Sequence, residues 1–214
     1  MIKITSALIQ DWERLYRSNF VNSLTGFKSV SLVGTIGQTG IPNLAVFSSL
    51  VHIGSNPALV GFINRPLTPS MHTLPNIQAS KIYTINHIHP SFLPLAHQTS
   101  AKYPTGVSEF DMVGLHPEFQ ENIVAPFVRE SRVKYALELQ EIIPIRSNDT
   151  SLVIGRIMEV LLEKDIIQQD GFISLDRSGS VCSNGNDGYY QTSLIRRFQY
   201  ARPGLPVQIN DTHE

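Results

Sequence analysis

Short β-branched runs, each cut off by glycine or proline, leave this chain little room for anything but a strand-rich fold. Residues 28–36 (KSVSLVGTI) alternate in polarity and are rich in side chains that suit a pleated, half-buried surface. Gly37-Gln38-Thr39-Gly40 follows, and glycine reaches positive φ without steric cost, so the chain turns there. Residues 43–52 (NLAVFSSLVH) form a second strand, and the pair reads as a β-hairpin. Pro57 opens a third strand over 58–64, and further strands are expected over 81–87, 133–145 and 151–163. Ile166 to Ile173 add a turn and a short strand, and residues 177–191 are rich in Gly, Ser and Asn. The tail after Pro203 reads as loosely held.

Helical patterns are few and brief. Leu8, Ile9, Trp12, Leu15 and Tyr16 recur at helical intervals over 8–19. Residues 70–80 read as a short helical crossover, capped by Ser70 and limited by Pro75. A broken helix is expected over 90–100, limited by Pro94. Residues 101–131 read as a long irregular connection, and such a segment inside a compact domain is often functional. Many strands with few long helices predict an antiparallel barrel rather than a parallel α/β sheet. At 214 residues, one domain spanning 1–214 accounts for the whole chain.

Composition narrows the function classes. There are 17 basic and 18 acidic residues, and no run of Lys or Arg, so nothing electrostatic favours nucleic acid or an anionic membrane. Cys182 is the single cysteine, which precludes an intrachain disulfide and a Cys-pair zinc site and fits a reducing cytoplasm. Asp11, Glu13 and Arg14 interrupt any apolar leader, and no apolar stretch is long enough to span a bilayer. Gly34, Gly37 and Gly40 are not spaced as a dinucleotide fingerprint, and there is no Walker loop and no G-x-S-x-G elbow. His87 and His89 form an H-x-H pair without further ligands at metal-site spacing, so no metal is expected.

An ordered series of motifs points to a family. Pro42-Asn43-Leu44-Ala45-Val46-Phe47-Ser48-Ser49 and Ser55-Asn56-Pro57-Ala58-Leu59 resemble the N-L-A-P-F-S and S-x-x-P-P-L patterns of the flavin reductase-like proteins. His72-Thr73-Leu74-Pro75-Asn76-Ile77 resembles their D-T-x-x-N-I helix, and Tyr83-Thr84-Ile85-Asn86 their F-x-V-N strand. Thr99-Ser100-Ala101-Lys102-Tyr103-Pro104 through Glu109-Phe110 and Gly114-Leu115 resembles their T-S-A-x-F-P-x-G-x-x-E-F connection, and Gly188-Tyr189-Tyr190 their G-x-Y element. The order holds from about residue 10 to 203, with a core over about 20–203. The resemblance implies a mainly β, FMN-binding split barrel of Greek-key type with a few short peripheral helices. It also implies a homodimer with flavin at the subunit interface. Val46 and Ala58 stand where proline is usual, His72 where an acid is common, and Asn186-Asp187 where more glycine is expected. These departures bear on the ring environment and donor preference.

FMN requires donors for its phosphate and an apolar slot with a few aimed polar groups for its ring. Ser48 and Ser49 sit late in a strand; adjacent residues face opposite ways, so one would donate by hydroxyl and the other by backbone N–H. Arg65 follows a strand and suits a bidentate phosphate contact, while His72 and Thr73 open a helix whose N–H groups favour anions. These three places are expected to converge on one phosphate pocket. Asn86 would read the ring edge, Lys102 would neutralise phosphate or reduced flavin, and Ser100 joins them. Tyr189 or Tyr190 would cover the ring. The resemblance adds Asn43, Ala45, Phe47 and Asn64 to the flavin contacts. Taken singly, each of these residues also fits an ordinary edge, capping, surface or core role. The expected function is an NAD(P)H-dependent flavin reductase, with NADH or NADPH passing hydride to FMN and the flavin carrying the chemistry. The alternatives are a flavoredoxin-like electron carrier and a non-enzymatic ligand-binding barrel.

Overall fold

The computed structural model describes residues 1–66, 68 and 71–210. Two helices come first, α1 (Ser6–Asp11) and α2 (Arg14–Leu24). They replace the single helix expected over 8–19 because the Glu13 side chain turns back to accept from Leu15 N–H and Tyr16 N–H, starting a second helix there. Neither helix buries a residue.

The barrel strands are β2 (Ser31–Ile36), β3 (Pro42–Phe47), β4 (Val51–Ser55), β5 (Ala58–Asn64), β6 (Ile82–His87), β9 (Val133–Ile145) and β10 (Thr150–Leu162). They form one antiparallel sheet in the order β3-β2-β6-β9-β10-β5-β4. Its two edge strands, β3 and β4, are consecutive in sequence. The sheet therefore curls until its edges meet at the corner Ser48–Leu50. At that seam the Ser49 hydroxyl does what a strand-to-strand bond would do: it accepts from Ile63 N–H and donates to Ile63 C=O, both at 3.1 Å. Phe47 and Phe62 meet edge to face beside it, 4.8 Å between ring centres. The strand expected over 43–52 is thus two strands with a corner between them.

The single strand expected over 28–36 is likewise divided at Val30. A short β1 (Lys28–Ser29) pairs with β11 (Val181–Asn184) and β12 (Gly188–Gln191) in a separate small sheet. The long connection over 101–131 contains structure that its prolines conceal: α5 (Glu109–Val113) and a hairpin of β7 (Pro117–Gln120) and β8 (Ile123–Val128). The crossover helix α3 (Thr73–Ser80) and α4 (Leu93–Gln98), preceded by a 3₁₀ turn at Pro90–Phe92, lie where helices were expected. His72 occupies the N-cap of α3 but makes no side-chain cap bond; Ser70 lies outside the described residues. The tail is more ordered than expected, because residues 197–210 pair back on themselves through a Phe198↔Ile209 bridge.

Of three buried clusters among the described residues, the two larger flank the sheet. Inside the barrel, Val33, Phe62, Tyr83, Ile85, Leu137 and Val153 pack together, with Leu74 and Ile77 of α3 as the plug. Outside β2, β3 and β6, residues Leu32, Leu44 and Ile88 pack under Phe92, Ala96, Phe110 and Val113. β2 is consequently buried on both faces, which an alternating pattern does not predict. Gly155 permits the close crossing at the centre: a Cβ there would meet the Tyr83 hydroxyl at 2.2 Å.

Candidate functional site

Of the expected site residues, Asn43, Ala45 and Phe47 lie on β3, the edge strand at the seam, and Ser48 and Ser49 at the corner that follows it. In its antiparallel pairing with β2, the odd-numbered residues from Asn43 to Phe47 bond to the neighbouring strand, and Leu44 and Val46 turn their N–H and C=O outward. An edge strand in a protein core must have those groups satisfied. Glu109 of α5 does so at one point: its carboxylate accepts from Leu44 N–H at 3.0 Å. The carboxyl is buried, and burial pushes its pKa up against the opposing pull of that backbone bond and of nearby His72. Among the described residues, nothing bonds the outward groups of Val46, which leaves an open edge two residues further on.

Polar side chains cluster at each end of this edge. At the start of β3, Asn43 donates to the hydroxyls of Thr35 (3.2 Å) and Thr73 (3.4 Å), and Asn76 donates to Thr35 (3.1 Å). His72 meets the Thr105 hydroxyl at 3.2 Å, which brings in the loop that carries Ser100 and Lys102, both exposed. At the far end, Ser48 and Ser49 form the corner, Asn64 donates to the Arg65 carbonyl at 2.7 Å, and the exposed Arg65 guanidinium donates to Asn186 at 3.3 Å. Ala45 and Phe47 lie between, both half-buried.

Asn43 binds α3 while Ser49 binds β5, and the five residues of extended chain from Asn43 to Ser48 span about 16 Å. Thr73 is thus tied to the start of β3, and Ser49 ties the corner at its end to Ile63, two residues before Arg65. Ser49 is committed to the seam. Asn86 is corrected by the structure. It is fully buried, donates to Leu32 C=O and the Thr84 hydroxyl, and accepts from Val128 N–H, so its amide ties β6 to β2 and β8 and has no face toward a ligand. Tyr189 hydrogen-bonds His97 through its hydroxyl at 2.8 Å, and Tyr190 turns the other way onto Phe27, as strand alternation requires. Burial raises the Tyr189 pKa, and Asp187 adds to the effect.

Thr35, Asn76, Thr105 and Glu109 complete the clusters and were missed as site residues. Asn76 and Glu109 lie inside motifs already noted, so a signal was present; Thr35 and Thr105 carry none beyond their type. His87 and His89 hold no metal cluster: no group of three or more ligand-type side chains occurs among the described residues. His87 instead bonds the Ser180 hydroxyl at 3.0 Å, and burial pushes its pKa down to about 4.

Residues 27–180 match the flavin reductase like domain. The chain belongs to that family. A split-barrel crystal structure from Shewanella frigidimarina, assigned to the flavin reductases, is 41% identical with a TM-score of 0.90 and covers 94% of this chain and 100% of that one. Nitrilotriacetate monooxygenase component B from Bacillus cereus (18% identical, TM-score 0.80, covering 94% and 98%) shares the fold. So does flavoredoxin from Desulfovibrio vulgaris (20%, 0.68, covering 84% and 92%). The chain is a flavin reductase-like split barrel. No helix among the described residues is long and apolar enough to cross a membrane.

Proposed function

We propose that this flavin reductase-like chain binds FMN and passes hydride to it from NADH or NADPH. The observation that carries the reading is the outer edge of β3, open at Val46 and bounded at both ends by polar clusters. An elongated mononucleotide laid along that edge would reach both. The donor set fits FMN. Arg65 offers a permanently charged fork, and Ser48 a hydroxyl, to a phosphate. Lys102 and His72 supply positive or proton-donating groups at the other end, where negative charge on a reduced ring is to be compensated. The backbone of Val46 presents a donor and an acceptor at fixed spacing, which suits a heterocycle edge, and Ala45 and Phe47 give it apolar surroundings. Asn43 and Thr73 bond to one another and Asn64 to the Arg65 carbonyl, so each also holds its neighbours in position beside the ligand. Bound FMN supplies the two-electron acceptor for a hydride; the protein supplies binding, orientation and the field around it.

A homodimer belongs to the same reading. Helices α1 and α2 bury nothing, although Leu15, Tyr16 and Leu24 are each more than half exposed. Amphipathic helices gain most of their stability from packing an apolar face, so a second copy is the natural cover.

The visible spectrum of the purified protein, with mass spectrometry of any released ligand, tests the cofactor. Anaerobic stopped-flow mixing of FMN-loaded protein with NADH and with NADPH tests the reaction, and bleaching of the flavin band with at least one of them is expected. Loaded protein that stays oxidised with both rejects direct nucleotide oxidation and leaves an electron carrier reduced by a redox protein. Colourless protein that takes up no FMN on dialysis rejects the flavin reading in favour of a non-enzymatic ligand-binding barrel.

A further inference from the structure

The C-terminal segment forms an arm that the rest of its own chain does not cover. Residues 197–210 fold into a hairpin, joined by the Phe198↔Ile209 bridge, by Gln199 N–H to Gln208 C=O at 2.9 Å and by Asn210 N–H to Arg197 C=O at 3.1 Å. The hairpin turns at Arg202–Leu205, where Gly204 takes a positive φ of 76°. Its root is clamped. Arg197 donates to Gln168 and Asp170 and lies over the Phe172 ring, 4.1 Å from its centre.

On both sides of that clamp the C-terminal segment is apolar and bare. Ile195 is 95% exposed, Tyr200 92%, Val207 68%, Leu205 61% and Phe198 57%. The hollow inside the hairpin is lined only by the hairpin's own residues. A lone two-stranded hairpin is at best marginally stable in water, so an arm of this shape calls for a surface to lie on.

We infer that the arm is a clasp that lies on a second copy of this chain. The inference rests on the homodimer proposed above and identifies the segment that holds it together. The five side chains expose on the order of 700 Å², close to the roughly 800 Å² per partner of a specific interface. A two-fold pair uses each such surface twice, once per protomer, so two reciprocal arms supply the area of a full interface. The N-terminal helices belong to the same pattern, since among the described residues Leu15, Tyr16 and Leu24 there are also largely exposed. The arm is also basic: Arg196 and Arg202 are exposed, and no Asp or Glu occurs from Gly188 to Asn210. Arms of like charge repel one another, so each lies on the partner's body and not on the partner's arm.

The test uses the full chain. Sedimentation velocity across a concentration series compares wild type with the combined variant Ile195→Asp, Tyr200→Asp, Leu205→Asp. Wild type is expected to be a dimer, and the variant to weaken self-association at least 100-fold with its far-ultraviolet circular dichroism unchanged. A wild-type monomer, or a variant that dimerises as well as wild type, overturns the inference. A photo-crosslinking amino acid at position 200 gives a second readout that does not depend on how the charged variant folds. A covalent product at twice the mass of the chain is expected, and links confined to one chain overturn the clasp. Flavin absorbance is read in the same samples. Colourless protein that still crosslinks between chains rejects the flavin reading alone, whereas yellow protein that does not crosslink rejects the clasp alone.

Discussion

Arg65 sits at the end of β5 with one long bond to Asn186, which leaves most of its guanidinium N–H groups free for an anion. A charge-assisted hydrogen bond contributes about 1.5–3 kcal/mol, and exposure to solvent brings an Arg65 contact toward the low end. Arg65→Ala is therefore expected to weaken FMN binding about tenfold, and Arg65→Lys less, as read by quenching of flavin fluorescence during titration; an unchanged affinity removes Arg65 from the site. His87 makes a prediction about stability alone. Its folded pKa, about 4, lies below the ordinary 6.5 because the imidazole is desolvated. The unfolded chain thus binds the extra proton between those values, so stability is full above about pH 6.5 and falls as pH drops toward 4. Between pH 7 and pH 5 the loss is about 1–2 kcal/mol, measurable by urea unfolding, and His87→Asn is expected to flatten that part of the profile. The identity of either residue was visible in the sequence; its neighbour was not. Nothing near position 87 reveals Ser180, which lies on the far side of the chain in sequence and beside His87 in space.

Edge strand β3 owes its shape to a carboxylate from α5, since Glu109 takes the outward N–H of Leu44. Removing that acceptor leaves a buried donor unpaired. Glu109→Ala is expected to cost about 2 kcal/mol and to disturb flavin binding at the neighbouring edge. Glu109→Gln keeps an acceptor and removes a charge whose burial is unfavourable. The folded pKa is raised, so the ionised form weakens the fold as pH rises through it, and the glutamine variant is expected to be at least as stable as wild type at pH 7. Chemical denaturation of both variants checks the pair; equal loss in each would mean that Glu109 acts by packing and not through that bond. At this scale β5 and β9 were legible at both ends, and the hairpin of β2 and β3 at its turn, because β-branched runs and flanking turns state those points. The corner at Ser48–Leu50 was not, since residues 43–52 read as continuous strand and only barrel closure bends them. The α5 helix and the β7–β8 hairpin were hidden for a different reason: proline and glycine crowd the connection, and the Phe110, Val113 and Phe127 side chains that stabilise it act through cores assembled from distant strands.

The barrel is a curled sheet with α4 and α5 against one outer face, α3 plugging its inside, and the outer edge of β3 open at Val46. A ligand that binds only the folded state raises stability by mass action, by about 2.7 kcal/mol at a hundredfold excess over its dissociation constant. For a domain of this size each kcal/mol moves the melting midpoint about 2–4 °C, so saturating FMN is expected to raise it by roughly 5–10 °C. Differential scanning fluorimetry with riboflavin as a phosphate-free control reads this directly, and a shift from riboflavin equal to that from FMN would remove the phosphate contact. By itself the sequence determined that the chain would be a β-rich antiparallel barrel, which residues belong to the family's motifs, and that neither a metal cluster nor a basic binding face was to be expected. The barrel and the charge balance follow from local periodicity, turn chemistry and composition, each readable over a few neighbouring residues, and the motifs from the family resemblance. Only the tertiary structure decided that Ser49 is committed to the seam, that Asn86 is spent inside the core, and that apolar side chains near both ends of the described chain lie exposed. Each depends on which strands meet when the sheet closes, and closure is set by long-range packing that no local window contains.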